Sequence, residues 1–202
     1  MNKYYLIALG LATLYLFTKI AKIYLFSGFA PFVNMRRSQA QAVIGELFKE
    51  KMVEDPVVYS LGSGQFGFLS VLQENMPKAR LVGVENNLRL YIIEKLQLLS
   101  KFSPIQLKAQ KRIYSLKFDD IDLIYCDLSL EDLTELPLKF KYECRPGTII
   151  LSMGTPIPNL EEKRGFDLPP VKSIRERLMF WRHDTLTAKK DHGNSWVYLY
   201  EI

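Results

Sequence analysis

Apolar residues along this chain follow two periods, and their alternation predicts a sheet with helices packed on it. Residues Ser38 to Lys51 place Val43, Ile44, Leu47 and Phe48 at helical spacing, which predicts an amphipathic helix. Pro56 opens a continuous apolar run of strand length, Val57-Val58-Tyr59-Ser60-Leu61, which stops at glycines. A helix over Phe66 to Asn75 follows, closed by Pro77, then a strand over Arg80 to Glu85 and a long helix from about Asn87 to Lys101. Further strands are expected at Ile105 to Gln110, at Asp122 to Cys126 and, after Pro146-Gly147, at Thr148 to Met153; a helix over Leu130 to Tyr142 separates the last two. The tail differs: Arg177 to Arg182 and Trp196 to Ile202 read as two strands joined by a polar turn containing Gly193-Asn194. Strands alternating with helices predict an α/β fold, a Rossmann-like and mostly parallel sheet with helices on both faces and right-handed crossovers. The tail adds an antiparallel C-terminal strand pair.

Ahead of this pattern lies a hydrophobic helix. Tyr4 to Phe17 carries no charge, and only Lys19 and Lys22 interrupt the apolar character before Phe29. A helix from Tyr4 to Ile23 would extend roughly 30 Å, the thickness of a hydrocarbon core, with both lysines at the end where they can snorkel. Tyr4, Tyr5, Tyr15 and Tyr24 sit near its two ends or inside them, as interfacial aromatics do. The division expected is a membrane anchor over residues 1–29 and one globular domain over residues 30–202. Lys19, Lys22, Arg36 and Arg37 follow the segment and only Lys3 precedes it, so the positive-inside rule sets the domain in the cytoplasm. A packed core helix or a targeting segment are the competing readings, since an uncharged run this short also suits a core helix.

The 202 residues suffice for one such domain, and 48 % hydrophobic with 24 % charged residues is globular composition. The formal charge of +5 favours no partner by itself. Cys126 and Cys144 show no metal-ligand spacing and have no histidine nearby, so they read as buried apolar residues in a reducing compartment, with no metal site. His183 and His192 sit in a polar tail and read as surface residues.

Chemistry concentrates at the turn Gly62-Ser63-Gly64, where the first strand meets a helix. Glycine there admits positive φ and close approach of a ligand, and the helix start offers unpaired N–H groups to an anion. A tight strand-to-helix turn without a ligand would look the same. Glu85 ends the second strand about 20 residues on, where an acid accepts hydrogen bonds from both ribose hydroxyls of an adenosine; a charge at a helix start is the plainer alternative. Together they describe an adenosine-bearing ligand across the carboxyl ends of the strands, dinucleotide or otherwise.

The segments SLGSGQFG and LVGVENN resemble the first two motifs of class I S-adenosylmethionine-dependent methyltransferases over about residues 30 to 154. Ala30-Pro31-Phe32-Val33 behind a hydrophobic segment resembles, more narrowly, the small membrane-associated FAM173-type protein lysine methyltransferases, a group whose members act on lysines of mitochondrial membrane proteins. The resemblance implies S-adenosyl-L-methionine as cofactor, with Ser60, Gly62, Ser63 and Gly64 at its methionine part, Glu85 on its ribose, Asn86 and Asn87 beside the adenosine, and Gln110 at the adenine amino group. It implies a protein lysine as acceptor, with Asp127 taking its proton or orienting it and Tyr125 lending contact. Small-molecule, lipid or RNA methylation and a non-catalytic scaffold are the alternatives. Ser60 stands in place of the usual acid, Gln65 in place of the common Asp, and Phe66 in place of a third glycine, with Gly67 offset by one.

Three features lie outside that scheme. Asp127 alternatively caps the helix that begins near Ser129, although Ser129 can take the cap itself. Asp167-Leu168-Pro169-Pro170 reads as a loop, one bordering a substrate entrance. Lys101 to Lys117 holds five cations and no acid: a solvated face, a contact for anionic headgroups, or an RNA contact, the last weakened by the absence of an aromatic platform. The expected partners are therefore a membrane and a protein substrate, without nucleic acid.

Overall fold

The structure, a computed structural model, describes residues 10–16, 18, 35, 37–62, 66–100, 103–169 and 196–202. Residues 1–33 and 34–202 form two separate units. In the first, residues 10–16 and Thr18 are helical and exposed, and the remainder of the expected anchor, with Tyr4, Tyr5, Lys19, Lys22 and Tyr24, lies outside the described residues. Among the described residues no helix is long and apolar enough to cross a membrane.

The second unit holds strands β1 (Val57–Leu61), β2 (Arg80–Glu85), β3 (Gln106–Ala109), β4 (Leu123–Cys126), β5 (Ile149–Met153), β6 (Arg164–Asp167) and β7 (Trp196–Glu201) in one sheet, ordered β3-β2-β1-β4-β5-β7-β6. The first five run parallel, and β7 lies antiparallel between β5 and β6. Among the described residues of this unit the helices are α1 (Arg37–Leu47), α2 (Phe66–Asn75), α3 (Leu88–Ser100), α4 (Leu130–Thr134) and α5 (Leu136–Glu143), with a 3-10 turn over Ile113–Ser115. Because side chains alternate along a strand, the sheet feeds two cores. Val58, Leu81, Leu123, Tyr125 and Leu151 join Val43, Leu47, Phe68, Leu72 and Leu98 on the α1–α3 side. Tyr59, Leu61, Val84, Ile124, Cys126 and Tyr200 join Leu133, Leu136 and Phe140 on the α4–α5 side. Burial on both faces is why the central strands read as unbroken apolar runs.

At the amino edge Asp122 joins three strands. Its Oδ2 accepts from Val57 N at 2.8 Å, its N–H donates to Val57 O at 2.9 Å, and its carbonyl accepts from Ile149 N at 2.9 Å. Arg145 pairs with its other carboxylate oxygen at 3.1 Å.

Several boundaries move. α1 stops at Leu47, so Phe48 leaves the apolar face and is 54 % exposed. The single helix expected over Leu130 to Tyr142 is two, with Pro137 in the first turn of α5, where a missing N–H costs nothing. The antiparallel pair at the tail is present with a different partner: β7 pairs with β6, and Arg177 to Arg182 lies outside the described residues. Asp167 is accordingly the last residue of β6 rather than part of a loop, and Leu168 is buried. Ion pairs hold this short polar strand: Arg164 meets Glu46 at 3.1 Å and Glu50 at 2.9 Å, and Lys163 meets Glu50 at 2.8 Å and also Glu201.

Gly67 lies in the first turn of α2, where a Cβ would stand 2.2 Å from the Met35 carbonyl oxygen. The residue admits the chain at Met35 against the helix rather than supplying a displaced third glycine of the turn. Gly45, inside α1, has open space. Thermal denaturation should therefore separate two chemically identical changes: Gly67→Ala destabilises by about 1–3 kcal/mol through overpacking, whereas Gly45→Ala stabilises by roughly 0.5–1 kcal/mol through helix propensity.

Candidate active site

The carboxyl edge of the sheet gathers the predicted residues. Three backbone bonds carry the ladder one step past the strands: Gly62 N to Val84 O at 3.2 Å, Asp127 N to Leu61 O at 3.0 Å, and Gln110 N to Glu85 O at 2.9 Å. Gly62, Glu85, Gln110 and Asp127 thereby stand at one edge, on four neighbouring strands. Gly62 has φ +109°, and a Cβ there would lie 2.2 Å from the Asp127 carbonyl oxygen, so both conformation and space require glycine. Ser63, Gly64 and Gln65 lie outside the described residues.

Glu85 is 1 % exposed. Its Oε1 accepts from Asn87 N at 2.7 Å, while Oε2 is buried with no hydrogen-bond partner among the described residues. Burial raises the pKa of this carboxyl, and the backbone N–H groups of Asn87 and Asn86 pull it partly back. A buried acceptor without a donor costs about 1–3 kcal/mol, more when charged. That cost is relieved by a ligand that brings hydroxyl donors, so the residue fits a ribose.

The other expected residues divide. Asn86 is exposed and lines a cavity of about 410 Å³ with Lys111, Arg112 and Tyr114 from the loop after β3 and Asp132 and Glu135 near α4. Asn87 turns to the helix, its Oδ1 accepting from Leu90 N at 3.4 Å. Gln110 supplies its backbone to the edge, but its side-chain amide donates to Ser115 Oγ and, at 3.4 Å, to Arg112 O, an inward turn within its own loop. Ser60 is fully buried inside β1, and its Oγ lacks a partner among the described residues. Asp127 is exposed. Ser129 takes the helix cap, accepting from Asp132 N at 3.2 Å, so Asp127 is not needed for it.

Tyr125 is 1 % exposed and stacks on Phe68 with ring centroids 4.5 Å apart, a packing role in place of the expected contact with an acceptor. Burial, then the neighbouring Asp127, raises its pKa further above the ordinary phenol value. Cys126 and Cys144 are free and buried; burial raises the first strongly and the second to about 12, so both stay thiols at neutral pH. His183 and His192 lie outside the described residues. Lys111, Arg112 and Glu135 border the cavity although no role beyond a charge run signalled the first two; their placement depends on how the loop of residues 110–116 folds over the sheet.

No family model and no curated protein matches the chain. Among solved structures, an RNA methyltransferase from Salinibacter ruber, in complex with S-adenosyl-L-homocysteine, is similar with a TM-score of 0.59 and 17 % identity over 80 % of this chain and 90 % of its own. The PH0226 protein from Pyrococcus horikoshii OT3 gives 0.55 and 10 % over 90 % and 98 %, and TrmN from Thermus thermophilus gives 0.53 and 11 % over 80 % and 47 %. The chain shares a Rossmann-like α/β fold with these proteins, here with an antiparallel β7 between β5 and β6.

The carboxyl of Glu85 makes this site's effect on stability depend on pH. Its folded pKa lies above the ordinary 4.5, so its contribution is full below that value and is lost as pH rises through the raised one. Glu85→Gln keeps the acceptor for Asn87 N and removes the charge. Its melting temperature should exceed that of the parent at pH 8, and the difference should close towards pH 4.5. A pH-independent difference would point to packing instead.

Proposed function

We propose that this chain transfers a methyl group from S-adenosyl-L-methionine to a lysine of a membrane or membrane-proximal protein, with the domain on the cytoplasmic side of the membrane its amino-terminal segment reads as anchoring. The observation that carries the cofactor is the buried Oε2 of Glu85, which has no partner among the described residues, beside Gly62. Its neighbourhood supports an adenosine-type ligand: Glu85 accepts from ribose hydroxyls, Gly62 admits the ligand to the backbone, and Asn86 opens onto the adjoining cavity. The cofactor supplies an electrophilic methyl on a sulfonium. The protein's task is then to place a neutral amine in line with it. An ammonium must first shed a proton, and the exposed Asp127 carboxylate beyond β4 can accept it or hold the amine. The FAM173-type resemblance and the hydrophobic segment support a membrane-protein lysine as acceptor.

Calorimetry with S-adenosyl-L-homocysteine tests the cofactor. Binding that Glu85→Gln weakens by roughly 10–100-fold is expected for the loss of charge-assisted hydrogen bonds. No binding would make the domain a non-catalytic scaffold, and binding of a nicotinamide dinucleotide in its place would make it a dehydrogenase. Labelled S-adenosyl-L-methionine with membranes tests the acceptor: the label should appear in protein, on lysine, and label confined to RNA or lipid would overturn that assignment. With a working acceptor, Asp127→Asn should lower kcat on the order of 10²-fold with little change in KM.

A further inference from the structure

Lys139 is a nearly buried cation outside the candidate site. It lies in the middle of α5, four residues before Glu143, and its side chain is 9 % exposed. Its Nζ donates to Glu143 Oε1 and stands 5.2 Å from the centroid of the Tyr114 ring and 5.5 Å from that of Phe118. The second Glu143 oxygen, Oε2, accepts from Phe118 N at 3.2 Å. One lysine and one carboxylate of α5 thus hold both ends of the stretch Tyr114 to Phe118, on the chain between β3 and β4. An unbranched apolar side chain such as methionine would fill the same space without desolvating a charge. What the ammonium adds at that cost is direction, because it favours one placement of the ring faces it meets.

The stretch so held reaches the site. The 3-10 turn over Ile113–Ser115 packs Ile113 and Leu116 into the α4–α5 core and leaves Tyr114 half exposed. Within the same loop Gln110 donates to Ser115 Oγ, and Ser115 donates to Arg112 O at 2.7 Å. Tyr114 lines two cavities: the one of about 410 Å³ beside Asn86, and another of about 660 Å³ against Pro137, Leu138 and Lys141 of α5. A half-exposed ring bordering two open spaces has room for other rotamers. The Lys139 ammonium on its face opposes them.

We propose that Lys139 is a positioning residue. Through Tyr114 and Glu143 it fixes the loop of residues 110–118 as one wall of the cavity beside Asn86, and so sets the affinity for the adenosine-type ligand. It acts on that ligand only through the loop. For the identity of the ligand the inference rests on the proposed cofactor; the hold on the loop requires none.

The test compares the full chain with Lys139→Met and Lys139→Arg. In hydrogen exchange without ligand, Lys139→Met should speed the Phe118 amide about fivefold. The amides of Asp122 and Ile149, which bond between β1, β4 and β5, should not change. Unchanged exchange at Phe118 would overturn the proposal, because the loop would then be ordered without Lys139. Faster exchange at all three amides would also overturn it, by making the residue a general contributor to stability. In calorimetry with S-adenosyl-L-homocysteine, Lys139→Met should bind about fivefold more weakly, and Lys139→Arg within about twofold of the parent. Tyr114→Leu should weaken binding to a similar degree, and adding Lys139→Met to it should cost little more, since the ammonium acts through the ring. Equal affinities for the parent and Lys139→Met, or losses that multiply in the double variant, count against the positioning role. A parent that binds no S-adenosyl-L-homocysteine would remove the proposed cofactor and the affinity claim together, while the exchange rates still decide whether Lys139 orders the loop.

Discussion

The site rests on one close approach: the carbonyl of Asp127 lies against the Cα of Gly62, in space that any side chain would fill. Two strands can approach in this way only if their ladder continues past their ends. The bonds from Asp127 N to Leu61 O and from Gly62 N to Val84 O supply that continuation. The turn is therefore held from both sides, by β2 and by β4, before any ligand is considered. The φ of +109° at Gly62 is one that glycine adopts without strain. A parallel sheet offers few other places where three strand ends and a helix start converge, which is why α/β folds put their ligands there.

Against that rigid frame, Glu85 is a local violation of good packing. A carboxylate with one oxygen tied to Asn87 and the other without a partner among the described residues carries a desolvation cost. Residues that conflict with their surroundings in this way mark sites more reliably than residues that fit. Ser60 presents the same kind of misfit on a smaller scale. Its hydroxyl is buried in the middle of β1, where an uncharged partnerless group is tolerated and a carboxylate would be far more costly.

Much of this was legible in the sequence, and the reasons are local. β1, α2 and β2 have the expected bounds because Pro56, Gly62 and Pro77 punctuate them, and Glu85 is found by its distance from the glycines. Failures came where tertiary contacts decide. β6 is short and polar, with no periodicity to reveal it; only its pairing with β7 and the carboxylates of Glu46 and Glu50 make it a strand. The amide of Gln110 was predictable in position and not in direction, since Ser115 and Arg112 claim it from five and two residues away. Tyr125 carries a hydroxyl that suggests chemistry, but alternation in a central strand turns it to the α1–α3 core, against Phe68.

The position of β7 also has a consequence for the order of assembly. β6 belongs beside β5 in sequence but is separated from it in space by a strand made much later in the chain. During synthesis, β6 has no sheet neighbour until Trp196 to Glu201 arrive, so five parallel strands must wait with the β5 edge open. Long-range pairing of this kind is slow, and an open apolar edge invites wrong partners in the meantime. The ion pairs of Arg164 with Glu46 and Glu50 and of Lys163 with Glu50 involve no residue of β7, so they do not depend on that strand's arrival.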